Sequence, residues 1–187
     1  MEPNQSLSNH FLIAMPALAD PNFVHTVTYL CEHNEEGAMG IVINRPLKVT
    51  LAEILDHMGI EPSPQVDGST PIFMGGPVQP ERGFVIHSPV GAWESSLQVT
   101  SEIAVTTSRD ILTAIAHGEG PAHYQIHLGY AGWGAGQLEQ EMADNAWLSG
   151  PADSEILFER AVAERWTAAA RLIGIDLNLL SSDAGHA

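Results

Sequence analysis

A chain of 187 residues, 44% of them apolar, is long enough for one domain with a core of its own. Its 23 carboxylates face seven basic residues for a formal charge of −16, and Lys48 is the single lysine; such a surface repels a phosphate backbone, which excludes direct DNA binding as an expected function. One cysteine excludes an internal disulfide framework and fits a reducing cytoplasm, and no apolar run approaches the ~20 residues that span a bilayer.

Residues 1–8 read as a flexible N-terminus without the basic-then-apolar order of a signal peptide, and residues 9–187 as a single domain. Phe11 to Met15 is an apolar run stopped by Pro16, which predicts a buried strand. Val24 to Glu32 and Ala38 to Asn44 are rich in β-branched and apolar residues, and the Asn34-Glu-Glu-Gly37 turn between them predicts a hairpin. Thr50-Leu-Ala-Glu53 has the spacing of a capping box, with Leu51, Ile54, Leu55 and Met58 at helical intervals and Gly59 to stop the helix.

Short strands are expected at Ile72 to Met74, Gly83 to His87, Leu97 to Val99 and Ile103 to Thr106. Thr107 to Asp110 predicts a second capping box and a helix that turns Ile111, Leu112 and Ile115 inward. Gln125 to Tyr130 reads as a strand that runs into a glycine segment and then a helix from about Gly136. Ile156 to Phe158 reads as a last short strand. A long C-terminal helix is expected to bury Val162, Trp166, Ala169 and Ile173 as one stripe and to end at Gly174. Strands crowd the middle of the chain and helices interrupt them irregularly, a pattern of α+β rather than regular βαβ winding.

The segment Gly129-Tyr-Ala-Gly-Trp-Gly-Ala-Gly-Gln-Leu-Glu-Gln-Glu141 carries four glycines in eight positions, which implies left-handed turns or close backbone approach. Together with Cys31-Glu-His-Asn34, Gly37-Ala-Met-Gly-Ile-Val-Ile-Asn-Arg-Pro46 and Gly75-Gly-Pro-Val78, it resembles the bacterial AlgH/YqgE family over nearly the whole chain. The resemblance implies one α+β domain whose small closed or bifurcated mixed β-sheet is barrel-like and surrounded by helices. That family is defined by sequence and structure rather than by a demonstrated reaction, and its name carries an association with gene regulation.

As a phosphate loop the glycine segment fails. No Gly-Lys-Ser/Thr closes it, Gly132, Gly134 and Gly136 alternate, and Glu139 and Glu141 already occupy the start of the helix. A tight structural turn is expected instead, with Gly134 or Gly136 at positive φ. Cys31 and His33 share a strand face, but the apolar run Val27 to Cys31 favours a core role for the thiol over a nucleophile. Nine histidines show no zinc-site spacing, and no G-x-S-x-G elbow is present.

The remaining signal is polar groups set among apolar strands. Asn44 follows Gly40-Ile-Val-Ile43, and His87 ends Gly83-Phe-Val-Ile86. Asn34, Asn44, His87, Gln137 and Glu139 also fall at positions typical of the family's motifs. With His33 they form the candidate ligand-binding or polar cluster; no catalytic, cofactor or metal set is assigned. The reading is a cytoplasmic, non-enzymatic binding or regulatory module acting on a protein partner or small ligand, with neither DNA nor membrane contact. The alternative is an enzyme using His33, His87 and Glu139, which requires those three to meet in one cleft.

Overall fold

The computed structural model describes residues 6–184. Ten strands and five α-helices follow in the order β1 (His10–Ala14), β2 (Val27–Asn34), β3 (Gly37–Val42), β4 (Pro46–Thr50), α1 (Leu51–His57), β5 (Pro71–Met74), β6 (Val78–Ser88), β7 (Ser96–Gln98), β8 (Ala104–Thr106), α2 (Arg109–Ala116), β9 (His123–Gly134), α3 (Gln137–Ala143), β10 (Trp147–Pro151), α4 (Arg165–Leu172) and α5 (Leu177–Ala184). A π-helical turn at Glu155–Glu159 and a 3-10 turn at Val162–Glu164 precede α4.

The main sheet runs β10-β1-β2-β3-β9-β6-β8-β7 with antiparallel neighbours throughout, curled into an open half-barrel. It is bifurcated. β9 carries β6 along one edge, while its other edge pairs first with β5, in parallel at Phe73↔His127, and then with β3 from Ala131 to Gly134. β4 completes the branch by pairing with β5.

Where the branches part, two backbones touch. A Cβ on Gly129 would lie 2.3 Å from the Gly76 carbonyl oxygen, and one on Gly75 would lie 2.3 Å from the Gly129 carbonyl oxygen. Gly129 also sits at φ +77°, a conformation that L side chains adopt at a cost. The Gly75-Gly76 pair and Gly129 are therefore two halves of one backbone crossing. The later glycines are not all a turn: β9 extends through Gly132 and Gly134, and Gly136 alone, at φ +75°, enters α3.

Three apolar clusters fill the fold. One lies on the inner sheet face beneath α4, around Phe11, Tyr29, Ile41, Phe84 and Ile86; one lies beneath α1 and α2; and one joins Trp133 and Trp147 to Leu138 of α3. The Thr50–Glu53 capping box forms as expected. Its counterpart at Thr107 does not: Ser108 takes the N-cap position of α2, and its hydroxyl donates to Asp110 and caps no helix amide.

The C-terminal third departs from expectation in several places. Ile156 to Phe158 lies in the π-helical turn, because Asp153 accepts the Ile156 amide and starts a turn there; the strand of that region is β10. Helix α4 starts only at Arg165 and buries Arg165 and Ala168 to Ala170, while Trp166 is half-buried, stacked on His25 and donating Nε1–H to the Ala14 carbonyl at 2.9 Å. Strand β4 and helix α5 are additions that the sequence did not suggest. Residues 6–8 are held in the fold, with Leu7 buried, and residues 1–5 lie outside the described residues.

Candidate functional site

The six candidate residues fall in three places. At the end of β2, His33 Nδ1 accepts the Leu7 amide at 2.9 Å, and Nε2 lies 3.4 Å from Glu139 Oε2 on α3. An amide can only donate, so Nδ1 carries no proton and the ring proton of neutral His33 faces the Glu139 carboxylate. Gln137 folds back on the segment that precedes it: Oε1 accepts the Gly134 amide, and Nε2 donates to Glu141 Oε2, both at 2.9 Å. Asn34 shapes the hairpin turn by accepting the Glu36 amide at 2.8 Å.

Asn44 serves a different purpose elsewhere. Its Oδ1 accepts the Val27 amide and its Nδ2 donates to the His25 carbonyl, while Arg45 donates to the Pro21 and Val24 carbonyls. The Asn44-Arg45 pair thus clamps the loop between β1 and β2 to the end of β3.

His87 is fully buried in the third place. Its Nδ1 meets the Pro89 carbonyl at 3.0 Å and its Nε2 the Thr106 hydroxyl at 2.7 Å, which in turn meets the Ser96 hydroxyl at 2.6 Å. A carbonyl only accepts, so His87 holds its proton on Nδ1, Thr106 donates to Nε2, and Ser96 donates to Thr106. Burial holds the imidazole below its usual pKa, partly offset by the Pro89 hydrogen bond. His33 aligns through Ala38 with Trp133, and His87 with Tyr124; nine residues of β9 put them roughly 30 Å apart. His33 and Glu139 meet, and His87 does not join them.

Several polar groups have no counterpart among the sequence candidates. Glu141 Oε1 accepts the indole N–H of both Trp133 and Trp147. Arg165 is buried with no ion pair among the described residues: Nη1 donates to the Ile43 carbonyl at 2.7 Å and to Gln125 Oε1 at 2.9 Å, Nε donates to the Arg160 carbonyl, and the guanidinium lies over the Phe73 ring. Burial brings its pKa down to about 10. Beside it His127 has no hydrogen-bond partner on either ring nitrogen, only a weak approach to the Val42 backbone, and burial followed by the Arg165 charge holds it down to about 3. The sequence signal was a Gln and a His alternating inside an apolar strand. Cys31 occupies the bulge of β2 and is a buried core residue, and that burial, with Glu32 beside it, pushes the thiol up, away from the thiolate form.

One surface feature spans several strands. A shallow cleft between Glu32, Asn34, Glu36 and Trp133 opens past Ala38 and Met39 into a depression of about 530 Å³ over Tyr130, Gly132, Phe84 and Arg82. That depression continues past Phe84 to Leu97, Val105 and Thr107. The three share Met39, which makes them one groove across β3, β9, β6, β8 and β7.

The AlgH-like family (DUF179) matches residues 11–178. A UPF0301 protein of Thioalkalivibrio sulfidiphilus is 60% identical over 187 residues, which cover 100% of both chains, and one of Nitrosococcus oceani is 59% identical over 96% of each. The solution structure of the AlgH protein from Pseudomonas aeruginosa superposes with a TM-score of 0.81 at 53% identity, covering 100% of this chain and 98% of that one. A Corynebacterium diphtheriae protein shares the fold, with a TM-score of 0.75 at 19% identity over 97% of this chain and 94% of its own. These names state no reaction, ligand or partner.

Proposed function

This chain belongs to the AlgH-like family, and on that premise we propose that it is a non-enzymatic binding module of the cytoplasm. It acts through protein contacts or a small ligand, and any influence on gene regulation is indirect. One observation supports this reading above the others. The polar groups that a catalytic site would need are dispersed, and most are taken up in holding the chain's own backbone: His33 holds Leu7, Asn44 holds Val27 and His25, His87 holds Pro89, and Gln137 holds Gly134. A catalytic cluster brings nucleophile, base and the base's orienting partner together at one point.

The enzyme reading draws on the His33–Glu139 contact, where Glu139 is half exposed. His33 nevertheless has its second nitrogen committed to Leu7, which leaves a single carboxylate facing solvent. The direct test is a thermal-shift screen of metabolites and peptides on the purified full chain, followed by assay of each hit for turnover. Binding raises the midpoint with ligand concentration, and the expected hits are recovered unchanged. Turnover of a hit, lost in Glu139→Gln with the midpoint intact, would establish an enzyme instead.

A further inference from the structure

We propose that the groove across β3, β9, β6, β8 and β7 is a docking site for a basic amphipathic helix of another protein. This rests on the binding-module reading and gives it a partner. The inner face of the sheet is covered unevenly: α4 rests on β1, β2 and β10, and the 155–159 turn rests on β9. Farther along the same face, Phe84 and Val105 form a buried floor between the half-exposed Met39, Tyr130 and Leu97.

A helix laid beside α4 would extend a layer that the fold already uses. From β3 to β7 there are four inter-strand steps, about 19 Å, which is the length of about 13 helical residues. Met39, at the junction of the three depressions, supplies an unbranched and adaptable contact. Such a groove accepts a helix by apolar anchors at i, i+3 or i+4, and i+7.

Charge decides which helix. Glu32 and Glu36 rim one end and Glu94 precedes Ser95 at the other, all exposed. Among the described residues the ion pairs are His33–Glu139 and Arg160–Glu155, so none of these three carboxylates is compensated. The cation on the groove wall, Arg82, is held by Gln79 and Thr107 and lies over Phe84. A second copy of this chain, itself at −16, brings like charge to like. A partner with lysine or arginine at both ends of its apolar stripe neutralises the rim.

The test uses the full chain, 15N-labelled, and a 14-residue probe peptide with leucines on one helical face and lysines on the other. Two controls accompany it: the same composition with the apolar face scrambled, and a twin with glutamate for lysine. Shifts are expected at Met39, Phe84, Leu97 and Tyr130. Binding is expected to weaken with salt, and by roughly three- to tenfold in Glu32→Gln/Glu36→Gln. Leu97→Asp should abolish it; should that variant fail to fold, the double glutamine variant, altered at two exposed positions, decides.

Equal binding of the scrambled or glutamate peptide, or shifts mapping off the groove, would overturn the proposal. So would groove signals that move when the chain alone is diluted, since they would mark a second copy as the occupant. A thermal-shift ligand that maps elsewhere leaves the binding-module reading standing and removes this one.

Discussion

His33 is the residue on which the N-terminal segment hangs. Its Nδ1 accepts the Leu7 amide, its backbone carbonyl accepts the Ser6 hydroxyl, and Leu7 is buried against the tryptophan cluster. His33→Ala leaves the Leu7 amide without a partner, and a buried unsatisfied donor costs about 1–3 kcal/mol. The expected outcome is faster hydrogen exchange from Leu7 to Asn9 with the remaining sheet protected. Uniform loss of protection would contradict a local role. His127 makes a pH prediction. Folding lowers its pKa from 6.5 to about 3, so between those values the unfolded chain binds a proton that the native state refuses. Stability is therefore complete above about pH 6.5 and declines as pH falls toward 3, at up to about 1.4 kcal/mol per pH unit from this group. His127→Phe keeps the aromatic shape beside Phe73 and removes the titration. It should flatten that acid limb in urea melts taken across the range, and an unchanged limb would assign the loss to other groups.

At the scale of elements, the glycines separate into two kinds. Gly129→Val sets a side chain at positive φ against the Gly76 carbonyl and should destabilise by more than about 3 kcal/mol. Gly136→Ala meets open space, so the clash expected at that turn is absent and only backbone strain of about 1–2 kcal/mol remains. Urea denaturation of the two variants measures the difference, and equal losses would contradict it. Local signals were legible: the Thr50–Glu53 box, the Asn34–Gly37 hairpin turn and the stop at Gly59 each involve groups a few residues apart. Strand β10 was not, because its pairing with β1 joins residues such as His10 and Pro151 that nothing local connects. The same holds for the site. Asn44 and His87 stood out as polar residues among apolar ones, but that they act as separate clamps follows from register. So does the approach of Glu139 to His33, through β2, β3 and β9. Glu141 is held by two indoles, one of them carried by β10, a strand that the sequence did not suggest.

For the whole molecule, the charge of −16 with seven scattered basic residues carries a prediction about nucleic acid. Arg45, Arg160 and Arg165 are engaged with carbonyls or carboxylates. The other four, Lys48, Arg82, Arg109 and Arg171, are scattered along the chain among 23 carboxylates, so no duplex-DNA complex should appear in a gel-shift titration at physiological salt. A salt-sensitive complex at sub-micromolar protein would overturn this. No helix among the described residues is long and apolar enough to cross a membrane.

Strand β9 joins both branches of the sheet, and it lies late in the chain. During synthesis β3, β5 and β6 leave the ribosome with one neighbour each (β2, β4 and, later, β8) and with the opposite edge bare. All three bare edges await residues 123–134. A nascent or prematurely terminated chain that ends before His123 therefore exposes these three edges at once, together with the β1 edge that β10 later covers, a surface suited to pairing with other chains. Truncation at that point should yield aggregate rather than a smaller soluble domain, whereas the arrival of twelve residues closes all three edges together.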